Sequence, residues 1–159
     1  LLCTYSMGLI RMPYEQLKLE NQVCFPLYAA ARDIVRHYKP FLDKLDLTYT
    51  QYIALMVLWE EDSASIKELG GRLYLDSGTL TPLCKKLEAK GLVKRVRDEK
   101  DERNVIVSLT PKGRALEHKA ANIPGLMAQS GCMPLTAEER DILRKLLYKT
   151  LHGLDAIDA

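Results

Sequence analysis

The sequence predicts a mainly α-helical protein that carries one small β-hairpin. Three observations support that class. Apolar residues recur at helical spacing over most of the chain. Boxes of Ser or Thr followed three residues later by Glu or Gln open three of the helical segments. The period shortens to two in one place only, between Leu92 and Thr110.

The first helical stretch, "LKLENQVCFPLYAAARDIVRHYKPFLDKL", places Leu17, Val23, Leu27, Ile34, Val35, Tyr38 and Leu42 on helical faces. Pro26 and Pro40 interrupt it. A proline inside a helix removes a hydrogen bond and clashes with the preceding turn, so Pro26 should kink the helix or begin a new one. "TYTQYIALMVLWEE" opens with the box Thr48 to Gln51 and is apolar nearly all round, the mark of a buried helix. "SIKELGGRLYL" repeats the device with Ser65 and Glu68, then buries Ile66, Leu69 and Leu73.

In "LDSGTLTPLCKKLEAKGL", Asp76 and Ser77 are good N-caps and Gly91 suits a left-handed closing turn. Leu80, Leu83, Cys84 and Leu87 cluster inward. Gly78, Pro82 and Lys85 point outward, flanked by Thr79, Thr81 and Lys86, so the outer face is small, hydroxylated and basic. "LVKRVR" and "NVIVSLT" then alternate as strands around a tip, Asp98 to Arg103, in which every residue is charged. "TPKGRALEHKAANI" resumes helix. "TAEERDILRKLLYKTLHGLDAI" ends the chain with the box Thr136 to Glu139 and an apolar set of Ile142, Leu143, Leu146, Leu147, Leu151 and Leu154.

A length of 159 residues suits one domain, or one small domain with an oligomerisation element. The net charge of +2 is too small to argue for nucleic acid, but its distribution is uneven. From Lys85 to Arg97 six basic residues, Arg95 among them, face a single acid, Glu88. Such a stripe suits a polyanion, although a solvated face can look the same. Cys3, Cys24, Cys84 and Cys132 fit neither zinc spacing nor a dense disulfide framework, and the three histidines are scattered. No metal and no cofactor are expected. No apolar run approaches the ~20 residues that span a bilayer. The start "LLCTYSMGLI" lacks a basic leader pattern, and Met7 and Met12 are candidate natural starts. These features suit a cytoplasmic protein with free thiols.

Helix, short turn, helix and hairpin is the order of a winged helix-turn-helix. The second helix of such a pair enters the major groove, where short hydroxyls and lysines let it approach bases and phosphates. Ser77, Thr79, Thr81, Lys85, Lys86 and Arg95 are the candidates. The hairpin tip reaches the neighbouring minor groove, whose negative potential attracts Arg103, with Asp101 holding its guanidinium by a charge-assisted bond. Taken alone, "DEKDER" would also serve as a soluble turn.

The stretch "YLDSGTLTPLCKKLEAKGLVKRVRDEKDERNVIVSLTPKG" resembles the core of MarR-family transcription regulators, with a D-x-R wing and an LT-x-x-G exit. "LENQVCFPLYAAAR" and "YKPFLDKLDLTYTQYIALMVLWE" further resemble the organic-hydroperoxide-sensing, OhrR-type branch. The resemblance implies a MarR-like homodimer on palindromic operator DNA, with no membrane partner. It divides the chain into a tail (1–16), a helical dimerisation region (17–45 and 114–159) and a winged helix-turn-helix (46–113). It makes Cys24 the sensing cysteine and Tyr38 and Tyr49 the partner-subunit phenols at its sulfur, with Tyr28 a weaker candidate. Cys132 corresponds to the second, resolving cysteine of a two-cysteine subgroup. Asp101 and Arg103 fall on the wing pair.

The chemistry of the residues agrees with these roles. A thiolate is the nucleophile, and a helix N-terminus or phenolic donors can stabilise it. Attack on an organic hydroperoxide gives a sulfenic acid, which condenses with a second thiol. A Cys24–Cys132 bond across the dimer would move the helices that carry the DNA-reading heads. "AQSGCMPLT" around Cys132 is a turn that suits an exposed thiol, and Cys84 is a small core hydrophobe. One rival keeps the DNA binding but replaces oxidation with a phenolic or other small ligand in a tyrosine-lined interior. Another is a thiol peroxidase, which leaves the basic wing without a purpose and lacks an Arg or Thr beside Cys24. The expected protein is a regulator and not an enzyme.

Overall fold

The structure, a computed structural model, describes residues 14–98 and 104–155. It contains two compact units, residues 1–37 and 38–159, with the division inside the first long helix. In the first unit, 3-10 turns at Glu15–Leu17 and Leu19–Asn21 lead into α1, Cys24–Leu42. Cys24 is the first residue of α1, and Pro26 lies in its opening turn, where a missing N–H has no acceptor to lose. Pro26 therefore begins a helix and does not bend one. Val23, Phe25, Leu27 and Tyr28 are exposed in the single chain, Val23 by 74%. That is far more apolar surface than one helical turn normally shows to water.

In the second unit α1 continues through Pro40, which does not interrupt it as expected. The helix ends two residues later, in a 3-10 turn at Asp43–Leu45. α2 (Tyr49–Glu61) is capped reciprocally by Thr48 and Gln51, and it buries Tyr52, Ala54, Leu55, Val57 and Leu58. α3 (Ile66–Leu73) is capped by Ser65 and Glu68, and α4 (Ser77–Ala89) by Asp76. α4 turns Leu80, Leu83, Cys84 and Leu87 inward, as the helical wheel requires. Burial of each such leucine contributes about 1.5–3 kcal/mol.

α4 stops in a Schellman turn. Leu92 N–H donates to the Leu87 carbonyl and Gly91 N–H to the Glu88 carbonyl, with Gly91 at φ 70°. The hairpin follows as β2 (Val93–Arg97) and β3 (Val105–Leu109). A strand not foreseen from the sequence, β1 (Ser63–Ser65), pairs with the other edge of β3, giving the antiparallel order β1-β3-β2. Ala64 opposite Val107 is its one buried position.

Beyond the sheet the chain forms α5 (Pro111–Ala120), α6 (Ile123–Gln129) and α7 (Ala137–Asp155). The break between α5 and α6 was not expected either. Thr136 and Glu139 cap α7 reciprocally. Ile142 and Leu146 on α7 are each 56% exposed, so this helix also carries an uncovered apolar face. No helix among the described residues is long and apolar enough to cross a membrane.

Candidate redox-sensing site and nucleic-acid interface

α4 owes its presentation to its cap. Asp76 accepts the Thr79 N–H at 2.9 Å on one carboxylate oxygen and the Thr79 hydroxyl at 2.8 Å on the other. These bonds hold the Asp76 carboxyl below the usual carboxylate range. They also commit the Thr79 hydroxyl proton, which leaves that oxygen only acceptor capacity for another partner. Ser77, Thr79, Lys85 and Lys86 are exposed and Thr81 is half-buried. A cleft of about 440 Å³ opens beside Ser77 and Thr81, and Lys67 and Asn104 line it too. Lys67 brings a further cation to this cleft. Its position inside the Ser65–Glu68 capping box marks it in the sequence only as a helix residue.

Arg95 is placed differently from the other cations. Its backbone N–H donates to one Glu88 oxygen at 3.0 Å, while Nε and Nη2 reach the other at 2.9 and 2.8 Å. The Arg95 donors lower the Glu88 carboxyl in return. The pair ties β2 to α4 and neutralises the Arg95 charge, so its first role in the geometry is a brace. Asp101 and Arg103 lie outside the described residues.

The three cysteines among the described residues occupy three environments, and Cys3 lies outside them. Cys24 is exposed at the first turn of α1. Tyr28, one turn on, is 63% exposed, with the Arg32 guanidinium 5.6 Å from its ring centroid. Cys84 is fully buried, and burial pushes its thiol up to about 11. Cys132 follows Gly131, at φ 68°, in the turn after α6. It is half-buried, not exposed as the turn suggested, and its S–H donates to the Met127 carbonyl at 3.6 Å.

The second unit also assembles an aromatic cluster, and Cys132 packs on the same core. Tyr38 lies 5.0 Å from Tyr49 and 6.0 Å from Tyr52, centroid to centroid, and Tyr52 meets Trp59 edge-on at 6.2 Å. Burial raises all three phenols. Tyr38 is raised further by Tyr49, Tyr52 and the charge of Cys132. They stay protonated at neutral pH and can donate hydrogen bonds to an anionic sulfur. In the sequence Tyr52 and Trp59 read only as core, because α2 is apolar nearly all round.

Comparison with known proteins gives one consistent picture. A family model described as "Transcriptional regulator SarA/Rot" matches residues 36–120. The organic hydroperoxide resistance transcriptional regulator of Bacillus subtilis (strain 168) is 48% identical over 141 residues, covering 89% of this chain and 95% of that one. The structure of reduced AbfR bound to DNA superposes with a TM-score of 0.76 at 33% identity, over 93% of this chain and 100% of that one. A cysteine-to-serine mutant of MarR from E. coli in complex with operator DNA gives 0.71 at 30% identity, over 79% and 91%. The chain therefore belongs to the MarR-type winged-helix transcription regulators, in the branch of the organic hydroperoxide resistance regulators.

Proposed function

We propose that the protein is a redox-sensing repressor. As a homodimer it binds palindromic operator DNA when reduced, and it releases the DNA when an organic hydroperoxide oxidises Cys24. The exposed apolar faces of α1 and α7 suit burial in such a dimer. Ser77, Thr79, Thr81, Lys85 and Lys86 read the major groove from α4, and Arg103, positioned by Asp101, enters the minor groove. As a DNA regulator it works in the cytoplasm.

The chemistry runs in two steps. The Cys24 thiolate attacks the terminal oxygen of the hydroperoxide. The O–O bond breaks, the alkoxide leaves and takes a proton to become an alcohol, and Cys24 becomes a sulfenic acid. The thiol of Cys132 of the partner subunit then attacks the sulfenic sulfur. A disulfide forms and the oxygen leaves as water. The hydroperoxide accepts both electrons, and the protein is oxidised once without turning over. Tyr38 and Tyr49 of the partner subunit donate to the Cys24 sulfur before oxidation, with Tyr28, one turn after Cys24, a weaker candidate donor.

The observation that supports this reading is that Cys132 and Tyr38 both pack on the core of the second unit, within electrostatic reach of one another. The chain that brings the phenols to a partner's sensing sulfur thereby brings the second thiol as well. The operator is first obtained as the duplex that the reduced protein selects from a random-sequence pool. Affinity for that duplex is measured before and after one equivalent of cumene hydroperoxide, on wild type and Cys24→Ser. Wild type should release the duplex and Cys24→Ser should hold it. If both hold, the redox reading fails.

A second reading has one observation in its favour. Ile53, Leu73, Tyr74, Leu143 and Leu147 line a mainly apolar cavity of about 450 Å³ in the second unit, roomy enough for a small aromatic ligand. A phenolic compound that releases DNA from Cys24→Ser would establish it.

A further inference from the structure

We propose that Trp59 is a positioning residue of the switch, coupling the tyrosine–thiol cluster to the root of the DNA-binding wing through its indole N–H. The inference rests on the redox reading above and adds to it the route by which oxidation reaches the wing.

Trp59 is the only tryptophan in the chain and stands half-buried near the end of α2. It touches two functional neighbourhoods. On one side its ring meets Tyr52 edge-on at 6.2 Å. Tyr52 lies 6.0 Å from Tyr38, which is in turn 5.0 Å from Tyr49. On the other side the Trp59 Nε1–H donates to the Gly113 carbonyl at 3.0 Å.

Gly113 is tightly placed. A Cβ there would lie 2.0 Å from the Leu92 carbonyl oxygen, so the first turn of α5 is pressed directly onto the backbone where β2 begins. Gly113 N–H donates to the Thr110 hydroxyl at 3.0 Å. The single proton of that hydroxyl is shared between the carbonyls of Gly91 (2.7 Å) and Leu92 (3.1 Å). Gly91 and Leu92 are where α4 ends and the wing starts. A short run of packed rings and hydrogen bonds thus joins the phenol cluster to the junction of both DNA-reading elements.

Packing alone does not call for an indole here. Phenylalanine would also meet Tyr52 edge-on and fill apolar space. The N–H is what tryptophan adds, and its acceptor lies on a backbone segment pressed directly against Leu92. Coupling needs an element that touches both sites and can take two arrangements, and that part falls to the Trp59–Gly113 bond, which spans the two neighbourhoods. When the Cys24–Cys132 bond draws the cluster away from its reduced packing, Tyr52 shifts against the indole and the Gly113 anchor loosens.

The test is the ratio of operator affinities, reduced over oxidised, for the full-length wild type, Trp59→Phe, and a variant with 3-benzothienylalanine at position 59. The last replaces the N–H with sulfur at nearly constant shape, so it decides the matter if Trp59→Phe folds poorly. Both variants should lose Cys24 thiol to cumene hydroperoxide at the wild-type rate and bind the selected duplex when reduced. Their affinity ratio should fall by about tenfold, within the usual range of coupling between sites. A merely structural tryptophan would lower the melting temperature and leave the ratio unchanged, and that result overturns the proposal. If the wild type itself keeps its DNA after oxidation, the redox reading fails and the coupling with it. If the wild type releases and both variants release equally, the coupling alone is overturned.

Discussion

Cys132 and Tyr38 pack against the same core, within electrostatic reach of one another, although more than half of the chain separates them along the sequence. The neighbourhood is built within one unit of one chain. A partner's Cys24 that accepts a hydrogen bond from Tyr38 would therefore find Cys132 beside it. After one equivalent of cumene hydroperoxide, wild type should run on a non-reducing gel as a covalent dimer that dithiothreitol dissolves. Cys132→Ser should remain a monomer, with Cys24 carrying added oxygen by mass. A reducible dimer in Cys132→Ser would assign the second thiol elsewhere.

The buried phenols make a pH prediction whose sign follows from linkage. Tyr38, Tyr49 and Tyr52 all titrate above the ordinary 10.0 in the folded protein, chiefly because burial penalises the phenolate. The folded state therefore holds these protons more tightly than the unfolded state. Their contribution to stability is complete below about pH 10 and is lost as pH rises through the raised values. The urea midpoint should fall above pH 10, and it should fall less in the Tyr38→Phe variant. Parallel curves for the two proteins would remove Tyr38 from the effect.

Salt dependence of DNA binding separates a free cation from a neutralised one. Each phosphate contact made by a lysine adds roughly 0.9 to the slope of log affinity against log salt. Lys85, exposed on α4, should reduce that slope by about one when changed to Ala. Arg95 is held by three bonds to Glu88, so Arg95→Ala should weaken binding with little change in slope, because it loosens β2 from α4. A slope change of about one for Arg95→Ala would make it a phosphate ligand after all.

What could be read in the sequence was whatever local chemistry decides. The boxes at Thr48, Ser65 and Thr136 each involve residues three apart, and they cap their helices as expected. Gly91 ends α4 because only a left-handed residue closes that turn cheaply. The interior face of α4 follows from helical spacing alone. What could not be read depends on distant partners. β1 is three residues long and exists because β3 offers it an edge. Arg95 looked like one more cation until the turn at Gly91 brought Glu88 against it. The half-burial of Cys132 comes from packing against the core of the second unit, although the composition of its own turn suggested exposure. The Trp59–Gly113 bond spans 54 positions, beyond the reach of any local pattern.

Cys84 provides the last test, because the same residue type appears here with the opposite chemistry. Its side chain is fully enclosed, shares the interior of α4 with Leu80 and Leu87, and has its thiol pushed up to about 11 by burial. At pH 8 it has almost no thiolate, and thiolate is the reactive form. Iodoacetamide on the native reduced protein, followed by peptide mass analysis, should label Cys24 first, Cys132 more slowly, and Cys84 only once urea unfolds the chain. Cys84→Ser should then cost about 1–3 kcal/mol of stability, since it puts a hydroxyl into an apolar interior whose neighbours are Leu80, Leu83 and Leu87. The same variant should keep full release by hydroperoxide, because no step of the switch passes through that sulfur. Labelling of Cys84 at the rate of Cys24 would mean that α4 opens in the native state, and a loss of release in Cys84→Ser would give the core thiol a part in sensing.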